Sequence, residues 1–178
     1  MTDTLTLYRR ASEWTGEKVA GAATQLDAAT PCDDWDVRTL LSHMVETQQY
    51  FAGRARGEDA TLSPQPRSRI GPDPAADFDA VRQDVLEAFS QPGVIEKTGP
   101  SLGIAFSDLL LHGWDVARAT QQDATMPDGL ADAAYETIHG RFTDEQRVGV
   151  FKPEIPVPDR ASPQEKLLAY TGRDPGAA

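Results

Sequence analysis

The sequence predicts an all-α protein, and three observations lead to that prediction. Apolar residues recur at intervals of three and four along most of the chain, as they do on the buried face of an amphipathic helix. Alternation of apolar and polar residues, which would indicate strands, is nearly absent. The segments rich in glycine and proline lie between the periodic ones, where connections are expected. We therefore expect a bundle of four or five amphipathic helices.

The first helix is predicted over roughly residues 3 to 24 from a regular apolar face. That face comprises Leu5, Tyr8, Ala11, Thr15, Val19, Ala22 and Leu26. The segment TPCDDWDVR follows, in which Pro31 halts a helix and Asp33, Asp34 or Asp36 can cap the next one. The apolar face of this second helix consists of Val37, Leu40, Leu41, Met44 and Val45.

Residues 53–74 are predicted to form a long connection, because they are rich in Gly, Pro, Ser and charge and have no periodicity. Asp73 and Pro74 resemble a helix cap and a first-turn proline, so they predict the start of a third helix. Its apolar face comprises Phe78, Val81, Val85 and Phe89. Pro92 and Gly93 are expected to end it.

A fourth helix is predicted from about Ile104 to Thr120, and a fifth from Leu130 to Arg141. The proline-rich segment FKPEIPVPDRASP is expected to be irregular. The last element, SPQEKLLAYTG, has the residues of a capped short helix. Ser162 would be the cap, Pro163 the first residue, Glu165 its capping-box partner and Gly172 the end.

The composition limits the function classes. The chain has 178 residues, enough for one domain over 1–178. Its net charge of −11 repels phosphate backbones, so nucleic acid is not an expected partner. We find no apolar run long enough for a signal peptide or a membrane span, and we expect a cytoplasmic protein without a membrane partner. The single cysteine, Cys32, excludes an internal disulfide and thiolate-rich metal sites.

Two of the three histidines have the surroundings of metal ligands. His112 lies four residues after Asp108 on the predicted fourth helix, so the two side chains project from one face. With His43 from the second helix they would supply two nitrogens and one oxygen, the donor set of an open catalytic metal site. The alternative is that both histidines are core residues that hydrogen-bond to neighbouring groups.

Other polar residues near these motifs are assigned weaker roles. Asp115 is a candidate to accept a hydrogen bond from a ligating imidazole, although it can equally pair with Arg118. Trp35 is expected to pack in the core. Cys32 is expected to be a small buried residue, although a thiol at a helix entrance can also be reactive. We place His139 outside the site because only Glu136 accompanies it at helical spacing.

Three motifs in the same order, TPCDDWDVRTLLSHMV, DLLLHGWDVARAT and LLAYTGRDP, resemble the mycothiol-dependent maleylpyruvate isomerase-type branch of the DinB-like superfamily. The resemblance implies a DinB-like four-helix bundle, here with additional short C-terminal helices. It also implies a divalent metal, most often zinc, held at the positions of His43, Asp108 and His112. The isomerase branch typically has glutamate where this chain has Asp108. The isomerase also has a C-terminal domain that we do not expect within 178 residues, so its substrate is not transferred.

The resemblance further implies a low-molecular-weight thiol, mycothiol, as cosubstrate. A divalent cation stabilises thiolate over thiol and so creates a nucleophile at neutral pH. We therefore predict a thiol-dependent transferase or isomerase that acts on a small electrophile, with zinc, nickel or iron as its metal. Two alternatives are a helical metal- or ligand-binding protein without catalysis and a structural interaction domain without metal. The sequence leaves the oligomeric state open between a monomer and a homodimer.

Overall fold

The computed structural model describes residues 3–32, 34–63, 66 and 70–176, and it confirms the all-α prediction. Helices make up 59% of the described residues, which form eight α-helices and no strand. The chain divides into two compact units, Met1–Thr125 and Met126–Ala178. The single domain expected over residues 1–178 stays a prediction.

The first unit contains a bundle of four long helices. These are α1 (Thr4–Gly21), α2 (Val37–Arg56), α3 (Pro74–Phe89) and α5 (Ser101–Ala119), with a short α4 (Val94–Thr98) between the last two. Helix α1 packs against α3 and α5, and α2 packs against the same two helices. The predicted DinB-like bundle is therefore confirmed. The packing of α2 against α5 brings the helix with His43 beside the helix with Asp108 and His112.

Aspartates cap three of the long helices, and the sequence suggested two of these caps, those of α2 and α3. Asp3, Asp36 and Asp73 each accept a hydrogen bond from the backbone N–H three residues later. Of the three candidates before α2 it is Asp36 that caps the helix, whereas Asp33 lies outside the described residues. Pro74 occupies the first turn of α3, where a missing N–H costs nothing.

Several helix boundaries differ from prediction. Helix α2 continues to Arg56, so the connection begins at Gly57 rather than at residue 53. The buried Ala52 and Ala55 extend the apolar face of α2, and Gly57, with φ 82°, supplies the left-handed conformation that ends it. Helix α3 ends at Phe89, ahead of Pro92, and the five-residue α4 was not predicted.

A close approach of α1 and α5 depends on a residue next to His112. A Cβ atom on Gly113 would lie 2.5 Å from the Thr15 hydroxyl oxygen and 2.8 Å from the Trp14 ring. Thr15 also donates a hydrogen bond from this hydroxyl to the carbonyl oxygen of Leu109. Glycine is therefore required at position 113 for the packing that places α5 in the bundle.

The second unit consists of α6 (Leu130–Ile138), α7 (Asp144–Arg147) and α8 (Pro163–Tyr170). Helix α6 packs against α8 and ends three residues before the predicted Arg141. The capping box of α8 is confirmed, since the Ser162 and Glu165 side chains accept from each other's backbone N–H. The four-residue α7 was not predicted. None of the helices described in either unit has the length and apolar character needed to cross a membrane.

Candidate metal centre

The three predicted ligands lie together between α2 and α5. His43, Asp108 and His112 each offer one donor atom, and these three atoms lie within 4.8 Å of one another. The Nε2 atom of His112 is 3.4 Å from Oδ1 of Asp108. The rings of His43 and His112 meet edge to face, with their centroids 5.0 Å apart. The tertiary packing thus joins one residue of α2 to a pair one turn apart on α5.

The second nitrogen of His112 faces Asp115, one turn further along α5. Nδ1 of His112 is 2.9 Å from Oδ2 of Asp115, whose side chain is completely buried. An Nδ1–H that donates to this carboxylate leaves the Nε2 lone pair directed to the side of Asp108 and His43. Asp115 therefore lies where a supporting acceptor for a ligating imidazole is needed.

The two histidines have opposite pKa shifts. Burial, together with the nearby charge of His112, lowers the pKa of His43 to about 4. Burial would also lower the pKa of His112, but the charge of Asp108 and hydrogen bonds to Asp108, Asp115 and Cys32 outweigh it and raise that pKa well above its usual value. Two carboxylates thus favour a positive charge at His112, while His43 remains neutral and able to donate a lone pair.

His43 is held by two neighbours of its own. Its ring lies 4.9 Å, centroid to centroid, from that of the half-buried Trp35, and its Nε2 atom is 3.4 Å from the hydroxyl of Thr47. Trp35 was expected to pack in the core, but it contacts a predicted ligand instead. The sequence offered one clue to this contact, since Trp35 immediately precedes Asp36, the capping residue of the helix that carries His43.

Cys32 also belongs to this cluster, which sequence reasoning missed. Its Sγ atom donates to Oδ2 of Asp115 at 3.4 Å and lies 4.0 Å from Nδ1 of His112. The residue is half-buried and not enclosed in the core. No spacing rule could have found this contact, because 80 residues separate Cys32 from His112.

A buried polar pair extends the polar interior of the bundle. The Tyr8 hydroxyl of α1 donates to Oε1 of Gln48 at 2.7 Å, and both side chains are fully buried. Burial raises the pKa of Tyr8 strongly, and Asp108 adds to that shift. The Nε2 atom of Gln48 has no hydrogen-bond partner among the described residues. Sequence reasoning missed this pair as well, since both residues lie on otherwise apolar helix faces.

His139, which we excluded from the site, lies in the second unit. Its ring stacks on Tyr135 at 4.7 Å and also contacts Tyr170 at 5.2 Å. It is not among the groups of described side chains that could hold a metal ion.

The sequence matches the profile of the mycothiol maleylpyruvate isomerase N-terminal domain over residues 8–117, more than half of the chain. The chain belongs to this family. The matched range includes His43, Asp108 and His112, and the DinB-like resemblance is confirmed. Family membership points to mycothiol-related chemistry, and the fold supplies groups of residues able to bind a metal.

Two relatives match along nearly their whole length. They are uncharacterized protein MT0763 of Mycobacterium tuberculosis strain CDC 1551 / Oshkosh and uncharacterized protein Rv0738 of strain ATCC 25618 / H37Rv. Each is 28% identical to this chain and aligns with 96% of it and 98% of its own length. No solved structure matches.

Proposed function

We propose that this protein is a thiol-dependent metalloenzyme of the cytoplasm, a transferase or isomerase that acts on a small electrophile. His43, Asp108 and His112 would hold a divalent metal ion, with zinc as the first candidate and nickel or iron as others. Mycothiol would be the cosubstrate. The single observation that carries the proposal is the convergence of these three donors from two packed helices.

The donor set fits a small divalent cation. Two ligand atoms bound about 2.1 Å from a tetrahedral zinc ion are about 3.4 Å apart. Nε2 of His112 and Oδ1 of Asp108 lie at that separation, 3.4 Å, before any adjustment. Two nitrogens and one oxygen leave a fourth position for another ligand, as in catalytic zinc sites. Asp108, although shorter than glutamate, is within reach of His112 for such an arrangement.

The charges around His112 also favour a bound cation. Asp108 and Asp115 place two carboxylates around one imidazole, and the side chain of His112 is only 12% exposed. A cation between His43 and Asp108 would compensate charge that is otherwise balanced by a proton on His112. His43 is already neutral, so it needs to lose no proton to act as a ligand.

When bound, the metal would supply Lewis acidity that keeps a coordinated thiol in its thiolate form at neutral pH. The residues of the chain would then hold the metal and orient the imidazole rings that bind it. Asp115 would keep the Nδ1 proton of His112 and so fix its tautomer, while Trp35 and Thr47 would fix the ring of His43. The family description supports a thiol partner, and the electrophile is our inference from thiolate nucleophilicity.

Metal content tests the proposal. We expect about one divalent ion per chain by inductively coupled plasma mass spectrometry, lost in His43→Ala and in His112→Ala. His139→Ala is the matched control, since it removes a histidine from the aromatic cluster of the second unit and should retain the metal. Helical circular dichroism of each variant distinguishes metal loss from unfolding. Stoichiometric metal in a His43→Ala, Cys32→Ser double variant, which also lacks the nearby thiol, would contradict the ligand assignment.

Turnover separates an enzyme from a binding protein. The metal-loaded chain, supplied with mycothiol, would be assayed against a panel of small electrophiles. We expect thiol consumption above the uncatalysed rate, and its loss in His112→Ala. A protein that binds metal at these residues but consumes no thiol would support the alternative of a non-catalytic metal-binding bundle.

A further inference from the structure

We propose a second metal-binding site on the opposite edge of the His112 ring, formed by Cys32, Asp115 and Nδ1 of His112, which takes a thiophilic divalent ion. We name it the thiol site. It shares His112 with the proposed catalytic ligands. A neutral imidazole has only one free lone pair, so an ion bound through Nδ1 leaves the ring proton on Nε2, and the two sites are alternative ways of using His112. The thiol site does not require the function proposed for the first set of ligands.

The geometry brings three different donors together. Cys32 Sγ, Asp115 Oδ2 and His112 Nδ1 all lie within 4.8 Å of one another. The three separations are 3.4 Å from Sγ to Oδ2, 4.0 Å from Sγ to Nδ1 and 2.9 Å from Nδ1 to Oδ2. With zinc bonds of about 2.3 Å to sulfur and 2.0–2.2 Å to nitrogen and oxygen, donors around one ion are about 3.4–3.6 Å apart. Shifts of about half an ångström would therefore make all three contacts.

The loop before α2 holds the thiol in place. The Cys32 backbone N–H donates to the Thr30 hydroxyl, and its carbonyl oxygen accepts from the backbone N–H of Trp35. Thr30 also donates to the carbonyl oxygen of Trp35. These contacts fix the backbone of Cys32 on both sides of its peptide unit, so little entropy is lost when its thiol binds an ion.

The donor chemistry distinguishes this site from the first one. A thiolate selects soft or borderline ions, whereas the imidazole and carboxylate donors of the first set do not. Cys32 is half-buried, while Asp115 is fully buried, so an ion can arrive from the thiol side. Binding would release one proton from Sγ and one from Nδ1, which leaves thiolate, carboxylate and neutral imidazole as ligands.

Cadmium titration tests the thiol site. Reduced full-length protein would be titrated with Cd²⁺ while the ultraviolet thiolate-to-cadmium charge-transfer absorbance is recorded. We expect one thiolate-bound ion per chain, no such absorbance in Cys32→Ser, and an undiminished signal in His43→Ala. Asp115→Asn should weaken Cd²⁺ binding by about tenfold or more, because even carboxylates that only support a ligand contribute about 10- to 100-fold to metal affinity. His112→Ala should weaken it as well.

Each other outcome overturns the proposal. Absence of the charge-transfer band in the parent at several equivalents of Cd²⁺ would exclude the site. Parent-like affinity in both Asp115→Asn and His112→Ala would mean an adventitious ion on the thiol only. Should Asp115→Asn fail to fold by circular dichroism, Cys32→Ser and His112→Ala carry the same test. The catalytic assignment is tested separately in a Cys32→Ser background, which lacks the thiol site. Zinc retained in the Cys32→Ser, His43→Ala double variant would contradict the catalytic ligands and leave the Cd²⁺ result on the parent unaffected.

Discussion

His112 and His139 are the same residue type in two very different environments. His112 lies between the carboxylates of Asp108 and Asp115 and beside a second imidazole. His139 lies against the rings of Tyr135 and Tyr170. Carboxylates raise the pKa of the first and create a place for a cation, whereas the rings give the second a packing surface. The neighbours of a histidine, and not its place in the sequence, therefore decide its chemistry.

In the aromatic cluster of the second unit, Arg147 and Tyr170 make most of the contacts. The guanidinium of Arg147 lies 4.3 Å above the Tyr170 ring and 5.4 Å above the Phe151 ring, and it donates to the carbonyl oxygen of Tyr170. The Tyr170 hydroxyl also accepts from the backbone N–H of Gly140. Tyr170 therefore connects α7, α8 and the turn after α6, and we assign this cluster to stability.

Tyr170→Ala should have the largest effect, and we expect it to lower stability in the aromatic cluster without changing the candidate metal centre. We expect it to cost about 3 kcal/mol of unfolding free energy, because it removes a buried ring together with its cation–π contact. Urea unfolding followed by circular dichroism and amide hydrogen exchange would locate the loss within residues 126–178. Zinc affinity should stay within twofold of the parent. A loss of zinc binding in this variant would contradict the assignment of the aromatic cluster to stability alone.

Asp115→Asn should have the next largest effect, a loss of zinc affinity at the candidate metal centre. The variant keeps the volume of the side chain but weakens the acceptor for Nδ1 of His112, so zinc affinity should fall by about 10- to 100-fold. Competition with a chromophoric chelator measures this change. Cys32→Ser is the matched control, since it alters the other partner of the same carboxylate and should change zinc affinity less. Equal zinc affinity in Asp115→Asn and the parent would exclude the supporting role.

The smallest predicted effect concerns the start of the helix that carries His43. Hydrogen bonds from the side chain and backbone of Thr39 lower the pKa of Asp36 below 3.8. The pKa is lower in the folded state than in the unfolded one, so this stabilisation is present above about pH 4 and is lost as the pH falls through the folded-state pKa. Asp36→Ala should cost about 1 kcal/mol at pH 7.

Asp36→Asn provides the control for that pH dependence, since asparagine caps a helix comparably but does not titrate in this range. Urea unfolding followed by tryptophan fluorescence suits the measurement, because Trp14, Trp35 and Trp114 all belong to Met1–Thr125. The stability difference between Asp36→Asn and Asp36→Ala should remain as the pH falls, while that between the parent and Asp36→Ala shrinks. A constant difference for the parent would contradict the capping interpretation.

Local signals predicted the long helices and the caps of α3 and α8. Asp73 accepts from the backbone N–H of Ala76, and the Ser162 and Glu165 side chains accept from each other's backbone N–H. These hydrogen bonds join residues three apart, so they can be inferred without a fold. The five-residue α4 and the four-residue α7 were missed because elements of one turn have too few residues to display a period. The end of α2 was misplaced because the glycine and arginines of GRAR were interpreted as loop composition.

The sequence by itself determined the helical class, the caps and the pairing of Asp108 with His112, since each depends on contacts within a turn or two. The proximity of His43 to that pair was also anticipated, through the family resemblance. Only the tertiary structure decided that Cys32 contacts Asp115, that Trp35 contacts His43, and that Tyr8 meets Gln48. The physical reason is that helical periodicity specifies which face of a helix is buried, whereas the packing of α1, α2 and α5 specifies which buried side chains meet.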